Sequence, residues 1–377
     1  MEDRERTREL SLDILRDLGG RPAVAFHEGL VAEGVRARLA ALGLTATADA
    51  YGNLVARLPG AADAGVPPIA FVAHMDHPGF EAVEVSRGGV TARALGGVPQ
   101  VSLTSEVLVQ LVLPDGSRVS GGTAGPTGHE SGQMVSVRVS DTSALEMPLP
   151  VVFDLADFEM DGDLILMRAL DDLAGCAAAL AALSLLSGRS GLGDVYGVFT
   201  RAEEVGLVGA RLLAEAGTLP RDTLVVSLEA SRTLPGAAIG GGPVIRVGDA
   251  SLTFDADAEA VLVAAREELM DVAPGFEAQR QLMSGGTCEA SAFRYHGYRT
   301  TGVAFPLGNY HNGTPLGGVA EEYIHVDDFV GGVELIVRAA QCVSRRLECR
   351  PWRRMADLSQ EHRRRLEAGW GAAGPAT

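Results

Sequence analysis

Lysine is absent from the 377-residue sequence, so all 32 basic side chains are arginines, against 49 aspartates and glutamates. The formal net charge of −17 argues against a nucleic-acid-binding protein, which would carry a basic surface. Cysteine is also scarce, since the four residues are scattered and none forms a Cys-x-x-Cys pair. This usage argues against a disulfide framework and favours a reducing compartment.

Long apolar stretches are missing as well. The longest run, LAGCAAALAALSLL at 173–186, is shorter than the roughly 20 residues of a membrane-spanning helix and is rich in alanine. We interpret it as a buried helix. The charged N-terminal segment MEDRERTREL lacks the apolar core of a signal peptide. We therefore expect a cytoplasmic protein that has neither a membrane nor a nucleic acid as partner.

What the sequence does contain is an alternation of helix and strand signals. Apolar residues recur at helical spacing over 5–18 and 27–43, and PPIAFVAHMDHPGF at 67–80 contains a continuous apolar strand at 69–73. Later in the chain the pattern predicts helices at 172–187, 204–216, 256–270 and 327–346 and strands at 193–200, 222–229 and 299–305. These signals together indicate an α/β fold.

Residues 81–161 have a different texture, with short alternating runs such as MVSVRVSD, a Pro-Asp-Gly turn and dense glycine. We interpret this stretch as a small all-β domain inserted into an α/β domain that comprises 1–80 and 162–346. The remaining residues, 347–377, form an Arg-rich tail, which we interpret as a surface helix followed by disorder.

Polar side chains follow the predicted strands at the point where each strand ends. His74 and Asp76 follow the strand at 69–73, and similar positions hold more carboxylates and a second histidine: Asp171, Asp172, Glu203, Glu204, Glu229 and His311. Because the carboxyl ends of parallel strands meet at one edge of an open sheet, we expect these groups to lie close together. Nitrogen and oxygen ligands in this number could hold two divalent cations, which would offset the repulsion among the carboxylates.

Some of these residues have other interpretations when each is taken alone. A lone His-x-Asp motif is often structural, and an Asp-Asp pair before a helix often caps it. His325 is the alternative to His311 as the last ligand, although IHVDD also indicates entry to a helix capped by Asp327 or Asp328. His129, in GPTGHESG, either reaches over the site or is an ordinary loop residue.

Six motifs occur in the order that they have in one enzyme family: AHMDHPGF, ALDDLAGC, EEVGLVGA, GGGPVI, SGGTCEA and YHN. In this series the chain resembles the co-catalytic zinc aminopeptidases, and most closely the deblocking, glutamyl and tetrahedral aminopeptidases, some of which were once labelled endoglucanases. The resemblance runs from the N-terminal helices to about residue 345. It implies a mixed-sheet zinc-peptidase catalytic domain with an inserted β domain that serves as a lid or in oligomerisation.

The same resemblance implies a homo-oligomer built on dimers, up to a dodecamer, and two divalent metal ions per chain. Zinc is the expected metal, with cobalt or manganese as alternatives for a mixed nitrogen and oxygen site. The ligands that the resemblance implies are His74 and Glu229 for one ion, Glu204 and His311 for the other, and Asp171 as the bridge between them.

Two further residues receive roles from the resemblance. Glu203 would be the general base, which takes a proton from the attacking water and passes it to the leaving amine. Asp76 would accept the second N–H of the His74 imidazole and fix its tautomer, since residues two apart on a strand share a face. We therefore expect a metal-dependent aminopeptidase that acts on peptides with a free N-terminus.

Four positions depart from the family pattern: His77, Leu173, Glu229 and Cys288 stand where relatives usually have an acidic residue, an arginine, an aspartate and an aspartate. His77 either lines the pocket or is an exposed loop residue, and Cys288 is either a thiol near the site or a buried structural residue. The departures leave two alternatives: a deacylase or a dipeptidase- or carboxypeptidase-like hydrolase on the same site, or a non-catalytic homologue. Retention of Glu203 argues against the non-catalytic homologue.

Overall fold

The predicted α/β fold is confirmed by the computed structural model, which describes residues 2–60, 65–127, 133–143 and 145–372. The helices are α1 (Glu2–Gly19), α2 (Gly29–Ala41), α3 (Gln100–Thr104), α4 (Leu170–Leu186), α5 (Val208–Ala216), α6 (Ala256–Val272), α7 (Glu289–Tyr295), α8 (Val326–Cys342), α9 (Arg350–Ala356) and α10 (Gln360–Ala372). Short 3-10 helices lie at Tyr310–Asn312 and Val343–Glu348. Among the described residues, no helix has the length and apolar character needed to cross a membrane.

The strands belong to a main sheet, a barrel and a small third sheet. They are β1 (Ala46–Ala48), β2 (Leu54–Leu58), β3 (Ile69–His74), β4 (Gly79–Ser86), β5 (Gly89–Leu95), β6 (Leu108–Val112), β7 (Arg118–Pro126), β8 (Met134–Val139), β9 (Leu149–Phe153), β10 (Glu159–Asp161), β11 (Leu164–Met167), β12 (Val195–Thr200), β13 (Leu224–Arg232), β14 (Val244–Arg246), β15 (Gln279–Gln281), β16 (Arg299–Leu307) and β17 (Glu322–His325).

The main sheet has eight strands in the order β1-β2-β12-β3-β13-β16-β14-β15. Its four central strands, β12, β3, β13 and β16, are parallel, so their carboxyl ends lie at one edge. All six residues of β3 are buried, as expected for a parallel strand that is covered on both faces. Its side chains alternate, since Phe71 packs in the large core with α4 whereas Val72 packs on the other face with α5 and α7.

The alanine-rich run at 173–186 forms the buried helix that its composition predicts. α4 is buried except at Ser184 and Leu185, and it packs against β3, β13, α1 and α8. At its N-terminus the backbone is not helical, with ψ of 102° at Asp171 and 40° at Asp172. The two aspartates therefore lie in a bend that precedes the regular helix.

A closed six-stranded barrel follows β3, with the strand order β4-β5-β8-β7-β6-β9. Its interior is apolar and includes an edge-to-face contact between Phe80 and Phe153, whose ring centroids are 5.9 Å apart. The barrel begins at Gly79, which lies before the boundary predicted at residue 81. The division of the chain into a catalytic domain, an inserted domain and a tail stays a prediction.

Asp171 does not follow a strand of the main sheet, contrary to the expectation. The strand before it, β11, pairs antiparallel with β10 and β17 in the small third sheet. The physical reason is a tight turn at Gly162, whose φ of 59° lets β11 fold back on β10. Packing of α4 against β3 and β13, and not a sheet edge, brings Asp171 to the other polar residues.

Candidate metal centre

The predicted site residues lie together, most of them at the carboxyl ends of the four central strands. His74 ends β3, Glu203 and Glu204 follow β12, Glu229 lies inside β13, His311 follows β16 and Asp171 stands at the start of α4. We expected Glu229 to follow its strand, but β13 continues to Arg232. The pairing of β13 with β3 nevertheless ends at Ser227, two residues before Glu229.

Asp171 lies between the two histidines. Its Oδ1 is 3.3 Å from His74 Nε2, and its Oδ2 is 3.7 Å from His311 Nε2. Each histidine also faces a second carboxylate: Glu229 Oε1 lies 3.8 Å from His74 Nε2, and Glu204 Oε1 lies 3.4 Å from His311 Nε2. The side chains thus form two clusters of one imidazole and two carboxylates, and Asp171 belongs to both.

These residues fit divalent cations. Four of their buried atoms have no hydrogen-bond partner within the described ranges: His74 Nε2, Asp171 Oδ1, Glu204 Oε1 and Glu229 Oε2. Leaving such atoms buried and unpaired is costly, whereas a coordinated cation would satisfy them. Ligand atoms of His74, Asp171 and Glu204 lie within 4.8 Å of one another, and their nitrogen and oxygen chemistry suits zinc, cobalt or manganese.

The electrostatics of the site also favour a cation. Burial raises the pKa of Glu203 and of Glu204 well above the usual value, and neighbouring carboxylates raise it further. Positive charge placed among them would oppose this shift and keep them ionised. Burial lowers the pKa of His311 to about 4, so its imidazole is neutral at neutral pH and retains a lone pair for a metal.

Asp76 lies under the two adjacent glutamates. Its carboxylate accepts hydrogen bonds from the backbone N–H groups of Glu203, at 2.9 Å, and Glu204, at 3.1 Å. His74 Nδ1 lies closer to the backbone carbonyl oxygen of Asp76, at 3.0 Å, than to its carboxylate, at 3.7 Å. The Asp76 carboxylate thus holds the backbone at Glu203 and Glu204. The backbone carbonyl of Asp76, and not its carboxylate as we expected, faces the second nitrogen of His74.

The other histidine is oriented by the connection that follows β5 of the barrel. His311 Nδ1 lies 3.1 Å from the carbonyl oxygen of Gly97, an arrangement that leaves Nε2 free to face Asp171 and Glu204. A Cβ atom added at Gly97 would lie 2.6 Å from His311 Nδ1, so only glycine allows this close approach. The connection that leaves the barrel after β5 therefore contributes directly to the candidate metal centre.

Gly97→Ala should weaken metal binding by about 10–100-fold, the usual effect of disturbing a residue that orients a ligand, because the new methyl group displaces His311. Titration of metal-free protein with Zn²⁺ measures the affinity. Gly29→Ala is the matched control, since a Cβ atom at Gly29 meets no neighbour within 4 Å. Equal affinities for the two variants would show that the Gly97 contact does not hold His311.

The structure also locates two of the three residues whose interpretation was open, His77 and Cys288. His77 is buried rather than exposed: its Nδ1 lies 2.6 Å from the carbonyl oxygen of Asp171, and its Nε2 lies 2.9 Å from Asn312 Oδ1. Cys288 is buried, and burial raises the pKa of its thiol, which favours a structural role. His129 lies outside the described residues.

The cap of α8 differs from the expectation. His325 Nδ1 accepts a hydrogen bond from the backbone N–H of Asp327 at 3.1 Å, so the histidine is the N-cap. Asp328 is buried, and its carboxylate accepts hydrogen bonds from the backbone N–H groups of Gly240 and Gly242. Its side chain is therefore already occupied by a neighbouring loop and cannot cap the helix.

Sequence reasoning missed three residues in or beside the centre. Arg232 and Arg246 line the cleft of about 460 Å³ that opens onto the candidate ligands. Glu322 is buried, and its carboxylate accepts hydrogen bonds from the backbone N–H groups of two of those candidate ligands. In a chain with 32 arginines no sequence pattern singles out two, and Glu322 belongs to an ordinary strand, so only the fold could identify these residues.

The chain belongs to the M42 glutamyl aminopeptidase family, because the profile of that family matches residues 139–334, more than half of the sequence. The predicted resemblance is thus confirmed. A curated protein of Acetivibrio thermocellus, provisionally named as an aminopeptidase, is 25% identical over 260 residues, which are 64% of this chain and 74% of that protein. Family and relative together support a hydrolase of the aminopeptidase type.

Solved structures agree with this assignment. A structure of PhTET1-12s, described as a dodecamer, is similar with a TM-score of 0.71 and 26% identity, over 87% of this chain and 98% of that one. The Pyrococcus horikoshii TET1 peptidase, described as assembling into a tetrahedron or a large octahedral shell, is similar with a TM-score of 0.72 and 25% identity, over 88% and 99% of the two chains.

Proposed function

We propose that this protein is a metal-dependent aminopeptidase that removes N-terminal residues from peptides through a two-metal centre. The observation that carries the proposal is the position of Asp171, whose two carboxylate oxygens face His74 and His311 separately. In this proposal His74 and Glu229 hold one ion, Glu204 and His311 hold the other, and Asp171 bridges them. Ions bound there would supply Lewis-acid chemistry, by lowering the pKa of a water molecule and polarising the scissile carbonyl.

Glu203 is the proposed general base. Its carboxylate lines the cleft, and its Oε2 lies 3.9 Å from His74 Nε2, within the centre. It takes the proton of the attacking water and delivers it to the nitrogen of the leaving amine. Asp76 positions this carboxylate through its hydrogen bond to the Glu203 backbone. Adjacent residues at a strand end can thus serve as base and ligand.

The cleft supports a preference for acidic N-terminal residues. Arg246 is buried, its Nε has no hydrogen-bond partner in the part of the chain that the structure describes, and its Nη1 is 3.6 Å from Glu229 Oε2. Arg232 is exposed, its Nη2 donates a hydrogen bond to the carbonyl oxygen of Gly285 at 2.9 Å, and its guanidinium carbon lies 5.8 Å from the centroid of the Tyr310 ring. The remaining N–H groups of Arg232 can pair with the carboxylate of a bound glutamyl or aspartyl side chain.

A homo-oligomer and a cytoplasmic location are further parts of the proposal. The dodecamer described for one solved structure, and the tetrahedron or large octahedral shell described for the other, support assembly. All four cysteines are buried and free, which is consistent with a reducing compartment.

One plate of substrates tests the activity. Aminoacyl-anilides with Glu, Asp or Leu, and N-acylated versions of each, are incubated with protein after chelation and after addition of Zn²⁺, Co²⁺ or Mn²⁺. We expect metal-dependent cleavage of the free-amine substrates, with the acidic ones preferred. Cleavage of the acylated substrates alone would identify a deacylase. No cleavage together with no bound metal would favour a non-catalytic homologue, whereas no cleavage with metal bound would point to a substrate outside this set.

Arg232→Gln tests the acidic preference on the same plate. It should lower kcat/KM for the Glu substrate by about tenfold or more, as expected for a lost charge-assisted hydrogen bond, and leave the Leu substrate nearly unchanged. Arg211→Gln, on an exposed position of α5, is the control. An equal change for both substrates would contradict a role of Arg232 in selection.

A further inference from the structure

Glu322, the first residue of β17, has both carboxylate oxygens engaged by backbone groups next to the metal centre. Its Oε2 accepts hydrogen bonds from the N–H groups of Leu170, at 2.8 Å, and Asp171, at 3.0 Å. Its Oε1 accepts one from the N–H of His311, at 2.8 Å. The side chain is fully buried. One carboxylate thus connects the segments that carry two of the proposed ligands.

These two segments need such a connection because the backbone at each ligand residue has neither helical nor strand conformation. Asp171 precedes the helical part of α4, and His311 has a φ of 55°, in the left-handed region that residues other than glycine adopt infrequently. They come from α4 and from the turn after β16, which are far apart in sequence. Their separation fixes how the oxygens of Asp171 face His311 Nε2, at 3.7 Å for Oδ2.

We propose that Glu322 is a positioning residue that fixes the distance between the bridging Asp171 and the ligand His311, and thereby sets the affinity for the ion that these two residues share. The proposal rests on the two-metal centre proposed above. Glu322 is not itself a ligand, since both of its oxygens already accept hydrogen bonds from the backbone. It acts from a different sheet, which is the reason that no local motif indicates it.

The chain offers a close control for this role. Asp328, six positions further along, is also a fully buried carboxylate that accepts backbone hydrogen bonds, at 2.7 Å from each of Gly240 and Gly242. These glycines carry no proposed ligand. A buried carboxylate that merely supports the fold should therefore behave alike at 322 and 328, whereas a positioning residue should not.

The experiment titrates metal-free wild type, Glu322→Gln and Asp328→Asn with Zn²⁺ in a calorimeter, with the apo-protein unfolding temperature measured in parallel. In Glu322→Gln one acceptor oxygen becomes an amide NH₂ that opposes a backbone donor. We expect wild type and Asp328→Asn to bind two ions tightly. Glu322→Gln should keep one tight site and lose about 10–100-fold in affinity at the other, the usual cost of removing a group that orients a ligand.

Each other outcome counts against a specific claim. If wild type binds no metal, the proposed function fails before Glu322 is tested. The positioning role is wrong if wild type binds two ions and Glu322→Gln changes neither Zn²⁺ affinity or lowers both affinities equally. It is also wrong if the affinities of Glu322→Gln equal those of Asp328→Asn. If Glu322→Gln does not fold, Glu322→Asp, which keeps both acceptor oxygens on a shorter arm, replaces it and must still weaken one site selectively.

Discussion

Glu203→Gln should lower kcat by about three orders of magnitude while both metal ions stay bound. Glutamine keeps the shape of the side chain but cannot take a proton from the attacking water, and a general base contributes about 10²–10⁴-fold to the rate. KM should change little, because the substrate contacts remain. Steady-state kinetics on the best substrate of the plate, together with metal analysis of the same protein, measure both quantities.

Two other glutamates make this result specific. Glu204, whose Oε1 is 3.4 Å from His311 Nε2, is a proposed ligand, so Glu204→Gln should lose metal as well as activity. Glu215 is exposed on α5, and Glu215→Gln should behave as wild type. A Glu203→Gln variant with a rate within a few-fold of wild type would exclude Glu203 as the base. Loss of metal in that variant would make it a ligand instead.

The polar ends of the central strands could be predicted because their cause is local. A continuous apolar run such as Ile69–Ala73 must be a buried strand, and the first polar residue after it must lie at the sheet edge. This argument placed His74, and Glu203, Glu204 and His311 were placed a few residues beyond their own strands; the structure brings all four together. The composition of the 173–186 run predicted its burial for the same reason.

Contacts between distant parts of the chain could not be predicted in this way. Gly97 meets His311 because the barrel folds back over the sheet edge, and Glu322 meets Asp171 because β17 pairs with β11. The sequence pattern near Gly97 or Glu322 does not indicate such a long-range contact. For Asp171 the prediction of proximity was right although its reason was wrong, since packing of α4 replaces the expected strand end.

His311→Ala should reduce the bound metal from two ions to about one per chain, because it removes the single imidazole of one cluster and leaves His74, Asp171 and Glu229 around the other. Turnover should fall with the lost ion. Metal analysis after dialysis against buffer with a fixed free Zn²⁺ concentration gives the stoichiometry. Added Co²⁺ or Mn²⁺ should not restore the second ion, because an alanine offers no ligand atom to any of these metals.

His325→Ala is the comparison variant that tests this assignment, because His325 was the alternative ligand. In the structure His325 Nδ1 caps α8, so its loss should cost about 1 kcal/mol of stability, typical of a removed N-cap, and leave both ions in place. The two histidines therefore differ in which property each variant changes, metal content or unfolding temperature. Loss of one ion from His325→Ala with full occupancy in His311→Ala would exchange their roles and overturn the ligand assignment proposed for the second ion.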